Sequence, residues 1–124
     1  MVIPALQAAA TLDTCIQAVL AQDAGEAFDI TIAVGPSGDE TRAIADAAAA
    51  MYPNVRVVDN PSGATPSALN AAIAASEGPI VARVDAQSIL PAGYLRRSAA
   101  TLARTGAANV GGVQRPVGNH GRQA

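Results

Sequence analysis

The chain has 124 residues, a formal net charge of -2 and a sequence pI of about 5.1. That length suits one domain, and the acidic balance argues against nucleic acid as the main partner, because binding a phosphate backbone needs a concentrated basic face. No run approaches the ~20 apolar residues that span a bilayer, and no basic segment at the N-terminus marks a signal peptide. A single Cys excludes an internal disulfide, so we expect a cytoplasmic protein, in solution or peripheral to the inner face of the plasma membrane.

The N-terminal half of the chain alternates short β-branched runs with longer Ala-rich runs. Residues 1–5 predict a short strand, and apolar side chains at helical spacing predict a helix over 9–22. Residues 28–34 form the clearest strand, because they are strong β formers without helical periodicity. The sequence Ser-Gly-Asp-Glu from Ser37 is typical of a capping box and predicts a helix from there to about residue 51.

The same alternation continues through the C-terminal half of the chain. The predicted strands are 55–58, 79–84 and a possible fifth at 108–113, and the predicted helices are 65–76 and 91–104. Thr65 followed by Pro66 suits a helix start, and Gly78 suits the end of that helix. Repeated strand–helix alternation predicts an α/β, Rossmann-like fold with a mainly parallel sheet flanked by helices. We assign residues 1–118 to this domain and 119–124 to an irregular tail.

Ligands of such sheets bind beyond the carboxyl ends of the strands. The predicted ends carry Pro4 and Ala5, Gly35, Asp59 with Asn60, and Asp85. Asp85 directly follows a buried strand, so its carboxylate either accepts ribose hydroxyls or helps hold a divalent cation, or it caps the following turn. Asp59 and Asn60 precede Pro61 and are typical of a turn.

Two further features leave alternatives open. Arg83 interrupts an apolar strand, where it either reaches a diphosphate or is simply exposed. The loop from Gly35 to Gly38 lies where a phosphate loop would be, but it matches neither the dinucleotide-binding nor the P-loop pattern. No cluster of His, Cys or paired carboxylates suggests a zinc site or a nucleophilic triad.

Four segments of the chain together carry a family pattern: VIPAL, FDITIAVGPSGDET, VRVVDNPSGATPSALNAAIAASEG and PIVARVDAQS. They resemble the start of the family 2 glycosyltransferases, which have a GT-A fold, and specifically the succinoglycan-biosynthesis type. The resemblance covers about residues 1–118, and its most specific part runs from Asn60 to Asp85. The residues that match the family pattern include Gly63, Ala68-Leu69-Asn70, Ala72-Ile73, Ala75, Gly78 and Asp85.

The resemblance implies a domain that binds a nucleotide-diphosphate sugar for transfer to an acceptor hydroxyl in polysaccharide or glycolipid synthesis. Pro4 and Ala5 would lie against the nucleoside, and Gly35 stands where many members have an Asp that binds the base. Asp85 would be the first Asp of a DxD-like motif that contacts ribose and the metal-diphosphate group. Gln87 would occupy the last place of that motif, and the implied metal is Mg or Mn.

The chain departs from the family pattern in ways that weaken the implied site. Gln7-Ala8 replace a common Asn-Glu, Ala64 replaces a frequent basic residue, and Gln87 offers an uncharged amide where members carry Asp or His. The family's catalytic base, its acceptor site and any membrane helices follow the segment matched here, so we expect a truncated enzyme without its catalytic half. The alternative is a non-catalytic α/β remnant or partner module. A dehydrogenase fragment is disfavoured, because no glycine fingerprint follows the first strand.

Overall fold

The computed structural model describes residues 1–23, 27–75, 80–107 and 111. Its elements in chain order are β1 (Val2–Ala5), α1 (Leu12–Leu20), β2 (Ile30–Val34), α2 (Thr41–Met51), β3 (Val55–Asp59), α3 (Thr65–Ala75) and α4 (Tyr94–Thr105). The three strands form one parallel sheet in the order β1-β2-β3. The predicted α/β fold with a parallel sheet between helices is therefore confirmed.

The central strand β2 is buried on both faces because helices cover the sheet from both sides. All five of its residues are buried, as expected for a parallel strand between two layers. One face packs with α1 and α2 in a core of aliphatic side chains, and the other packs α3 through small residues. The α3 face includes Ala33, Ala68 and Ala72, so this helix approaches the strands closely.

The chain changes direction across the sheet after β3. Instead of adding a strand beside β3, it crosses through α3 and returns beside β1, where Val2 and Arg83 form a parallel bridge. Across the sheet the order is therefore residues 82–84, β1, β2 and β3. In doubly wound sheets the direction in which strands are added reverses at such a place, here between β1 and residues 82–84. The crevice of such a fold opens at that reversal, between the carboxyl end of β1 and the segment that ends at Asp85.

The predicted fourth strand is reduced to this one bridge. Two backbone hydrogen bonds hold it, from Val2 N to Ala82 O (2.8 Å) and from Val84 N to Val2 O (2.9 Å). Within the described residues no strand pairs with its outer side, and Ile80 and Val81 are exposed. Strong β formers at 80–84 therefore do not make a full strand, because β-propensity depends on neighbours to pack against.

The predicted helix starts are displaced by a few residues. The capping box is wrong: α2 begins at Thr41, and Ser37 Oγ instead accepts from Gln7 N. The start of α2 is held by Asp39, whose Oδ1 accepts from Thr41 N at 3.1 Å. The last predicted helix begins at Tyr94 rather than at Pro91, and Gly93 precedes it with a left-handed φ of 78°.

Some predictions lie outside the described residues. They are the helix stop at Gly78, most of the possible strand at 108–113, and the tail from 119 to 124. Within the described part of the chain, no helix is both long and apolar enough to cross a bilayer.

Candidate functional site

A hollow of about 180 Å³ opens at the carboxyl edge of the sheet, where the chain reverses. Pro4 and Ala5 at the end of β1 line one side, and Asp85 and Gln87 line the other. We call it the switch-point hollow. The sequence placed Pro4, Ala5 and Asp85 at strand ends, and the resemblance added Gln87 two residues after Asp85. The fold brings them together because β1 and residues 82–84 are neighbours. Its other lining residues are Leu6, Asn60, Gly63, Thr65, Ala68, Arg83 and Ala86.

Gly35 does not share this hollow with Pro4 and Asp85. It lines a second hollow of about 430 Å³ with Val34, Pro36, Ser37, Arg42, Asp59, Asn60 and Pro61. Leu6 and Gly63 lie between the two, since a Cβ on Gly35 would come within 2.9 Å of Leu6 Cδ1 and 3.1 Å of Gly63 Cα. The expectation that Pro4, Gly35 and Asp85 border one crevice therefore holds for Pro4 and Asp85 and is wrong for Gly35.

The carboxylate of Asp85 is not the cap of the following turn. The turn is closed by the backbone carbonyl of Asp85, which accepts from Ser88 N at 2.9 Å. The same carbonyl accepts from Cys15 Sγ at 3.4 Å. The Asp85 carboxylate accepts instead from Arg83 Nε at 3.0 Å, and its side chain is 37% exposed. The backbone of Asp85 is thus anchored to the core while its carboxylate lines the hollow.

Cys15, the single Cys of the chain, is a core residue. It is fully buried in α1, beneath the turn at Asp85. Burial, and secondarily the negative charge of Asp85, raises the pKa of Cys15 to about 11. The thiol is therefore protonated at physiological pH and serves as a weak donor rather than as a nucleophile.

Asn60 supports the loop after β3, in agreement with its interpretation as a turn residue. It is 4% exposed, its backbone N donates to Val34 O at 2.9 Å, and its Nδ2 donates to Ala64 O at 3.0 Å. Asn60 lines both hollows, but its amide N is committed to the loop. Asp59 is exposed and pairs with Arg42 at the second hollow.

A network of hydrogen bonds that the sequence analysis missed joins the loops after β1 and β2. Gln7 N donates to Ser37 Oγ (3.0 Å), Ala8 N to Thr41 Oγ1 (2.8 Å) and Ala9 N to Asp39 Oδ2 (3.1 Å). In return, Gly38 N donates to Gln7 Oε1 at 3.1 Å. The run of Ser, Asp and Thr after β2 is the sequence feature that could have indicated this network. Such side chains accept hydrogen bonds from a neighbouring loop as readily as from their own helix.

This loop network holds the edge of the site in an unusual backbone conformation. Gln7 adopts a left-handed φ of 49°, which is uncommon for a residue other than Gly. The hydroxyl of Thr41, followed by the N–H groups of Thr41 and Ala9, donates to Asp39 and lowers the pKa of that carboxyl below its usual value. Leu6, the residue before Gln7, has a half-exposed side chain that lines the switch-point hollow.

The side chains at the hollow offer few ligands to the Mg or Mn that the family resemblance implies. The described residues contain no group of three or more His, Cys, Asp or Glu side chains that could hold a metal ion. Among the described residues that line the hollow, Asp85 is the one carboxylate, and Gln87 supplies an amide. One carboxylate suits Mg²⁺ or Mn²⁺ that arrives with phosphate oxygens and water, whereas a free ion would lack ligands. The residues therefore fit a metal-diphosphate complex and do not form a metal cage.

Comparison with known structures supports the fold. The chain superposes on the crystal structure of S. aureus TarS 1-349 with a TM-score of 0.73 and 20% identity, over 92% of this chain and 37% of that one. A second crystal structure of S. aureus TarS gives the same TM-score of 0.73 and 20% identity, over 92% of this chain and 22% of that one. The chain thus spans well under half the length of these proteins, and at this identity the likeness establishes the fold alone.

Comparison at the level of sequence identifies the family. Among curated proteins, none matches the chain significantly. The model of the family described as glycosyl transferase family 2 matches residues 1–123. That range covers every strand of the sheet and all lining residues of the switch-point hollow, so the chain belongs to glycosyl transferase family 2.

Proposed function

We propose that the switch-point hollow binds the nucleoside diphosphate part of a nucleotide-diphosphate sugar. The observation that carries the proposal is the placement of Asp85 and Gln87 opposite Pro4 and Ala5 at the reversal of a parallel sheet. Pro4 and Ala5 offer an apolar wall to the nucleoside. Asp85 offers carboxylate oxygens to ribose hydroxyls or to a divalent cation on the diphosphate.

The residues have separable tasks in this proposal. Transfer breaks the bond between the sugar and the diphosphate, and a bound Mg²⁺ or Mn²⁺ would supply neutralisation of the departing charge. Asp85 and Gln87 are the residues that would hold the ion, while the loop network keeps the wall at Ala5 and Leu6 in position. Gln87 is an uncharged ligand, so we expect metal-dependent binding to be weak.

We propose that this chain binds a donor without transferring its sugar. The acceptor hydroxyl must lose its proton to a base, and the described residues that line the switch-point hollow include no His and no carboxylate other than Asp85. A binding module of this kind is the second candidate function, and Gln87 in place of a charged ligand favours it. Donor sugar, acceptor and a cytoplasmic location stay predictions.

Calorimetry with UDP- and GDP-sugars, with and without Mn²⁺, tests this site. Gln87→Asp should strengthen Mn²⁺-dependent binding about tenfold, since an interaction with a charged group contributes roughly 1.5–3 kcal/mol. Asp85→Asn should weaken it by a similar factor. Asp59→Asn is the matched control, because Asp59 ends a strand at the same edge but lines the other hollow.

Two outcomes would contradict the proposal. If Asp85→Asn and Asp59→Asn lose equal affinity for the nucleotide sugar, the binding site is not the switch-point hollow. Sugar transfer by the purified chain at a rate typical of an enzyme would show that it contains a catalytic base, and the proposal of binding without transfer would fail.

A further inference from the structure

Arg83 faces the same hollow as Asp85, and the two are the charged residues among the described residues that line it. Their charges cancel, so these described side chains give the hollow no net charge. A diphosphate carries several negative charges, so it needs either a metal ion or a freed cation to bind there. Among the described lining residues, Arg83 is the cation that could be freed for this contact.

The backbone fixes the direction of the Arg83 side chain. Residues 82–84 are held beside β1 by Val2, through the hydrogen bonds to Ala82 O and from Val84 N. Side chains alternate along an extended segment, so buried Val84, at 3% exposure, turns into the core while Arg83 turns out. The guanidinium is therefore presented at the rim by an anchored backbone.

The guanidinium has donors to spare. Among the described residues, Arg83 donates through Nε alone, to Asp85 Oδ1 at 3.0 Å. Its Nη1 and Nη2 groups form the planar fork that binds phosphate oxygens in a bidentate manner. The two side chains are 52% and 37% exposed, so solvent screens the pair and breaking it costs little.

We propose that Arg83 is a diphosphate-binding residue, held by Asp85 until an anion enters, so that the hollow binds diphosphate without a metal. This inference rests on the proposed function and names the part of the nucleotide sugar that is recognised first. Asp85 then has two opposing effects. It repels the diphosphate when no metal is present, and it attracts the complex when Mg²⁺ or Mn²⁺ accompanies the diphosphate.

Calorimetry with inorganic pyrophosphate and with UDP, each in EDTA and in Mn²⁺, separates these effects. In EDTA, Arg83→Ala should weaken pyrophosphate binding about tenfold or more, because a charge-assisted hydrogen-bond pair is lost. Asp85→Asn should bind as tightly as the original chain or severalfold more tightly in EDTA, and more weakly in Mn²⁺. Arg83→Lys, which keeps the charge but not the fork, should fall between.

Arg96→Ala is the matched control. Arg96 also pairs with an Asp at 3.0 Å, through its Nη2 and Asp23, but it lies on α4 and does not line the hollow. The Arg96→Ala variant should bind pyrophosphate as tightly as the original chain does in both buffers. Circular dichroism melts of all variants exclude loss of folding as the cause of any change.

The outcomes distinguish this inference from the proposed function. If Arg83→Ala binds pyrophosphate in EDTA as well as the original chain does, or if Arg96→Ala loses as much, the inference is wrong and the proposed function stands. If pyrophosphate binding depends on Arg83 but UDP binds no more tightly than pyrophosphate, the diphosphate site stands and nucleotide recognition fails. If the original chain binds neither probe in either buffer, both are wrong.

Discussion

At the residue scale, Gly35 shows how close packing rather than a special backbone conformation can require glycine. Its φ is not in the left-handed region, so an L side chain is compatible with its backbone. The constraint is spatial, because Leu6 and Gly63 approach from two sides, and a Cβ on Gly35 would lie closer to Leu6 Cδ1 and Gly63 Cα than ordinary contact allows. The Asp that the family resemblance expects at this position would require the Leu6 side chain to turn aside and Gly63 to shift by a few tenths of an ångström.

Gly35→Ala should therefore destabilise the protein by roughly 1–3 kcal/mol, the usual cost of overpacking. Gly38→Ala is the control in the same loop, because its Cβ would meet Gln7 Nε2 at 3.8 Å, an ordinary contact. Adding Leu6→Ala to Gly35→Ala should restore only part of the lost stability, since Gly63 Cα remains close to the new Cβ. Urea unfolding followed by circular dichroism measures all three, and equal stability of the two glycine variants would refute the packing argument.

At the element scale, β2 contains a polar group that its position leaves unpaired. Thr31 is fully buried, and its Oγ1 has no hydrogen-bond partner among the described residues. Thr41, at the start of α2, is equally buried, but its Oγ1 accepts from Ala8 N at 2.8 Å and donates to Asp39. The same side chain thus has opposite energetic consequences in the strand and at the helix start.

Thr31→Val should raise the free energy of unfolding by about 1–2 kcal/mol, because it removes an unsatisfied hydroxyl and keeps the shape. Val is also a better strand former. Thr41→Val should lower it by a similar amount, since the variant leaves Ala8 N without its acceptor. Chemical denaturation of the two variants gives the comparison, and a loss of stability in Thr31→Val would mean that its hydroxyl is satisfied in solution.

At the scale of the whole molecule, the thiol of Cys15 reports on the packing of helix, sheet and site together. It is the single Cys of the chain, it is fully buried, and its Sγ donates to the backbone of Asp85. Reaction with a thiol reagent needs both access and deprotonation, and a pKa of about 11 opposes the second. Labelling of this residue therefore requires opening of the core.

At pH 8, Cys15 should resist a disulfide reagent in buffer and react as urea unfolds the chain. The raised pKa keeps the folded thiol protonated, whereas the unfolded thiol, with a pKa of about 8.5, is partly ionised. Ser67→Cys in a Cys15→Ala background places a thiol at an exposed position and gives the labelling rate of an accessible thiol. Equal rates for the two thiols in buffer would show that the core beneath Asp85 is open.

The sequence by itself determined the fold class and much of the element order. Periodicity separates strands from helices locally, which is why β2, β3 and α1 lie close to their predicted ranges. It also placed Pro4, Ala5 and Asp85 at strand ends, because each follows a β-forming run. The resemblance identified the family, which the family model confirms over residues 1–123.

Only the tertiary structure decided which strand ends meet. The return of the chain beside β1 joins Pro4 with Asp85 and leaves Gly35 in another hollow, and no local pattern encodes which strands are neighbours. The same holds for Ser37, whose hydroxyl serves the loop at Gln7 rather than its own helix. Periodicity arises within one element, whereas a site arises between elements, so the second requires the packing of the whole sheet.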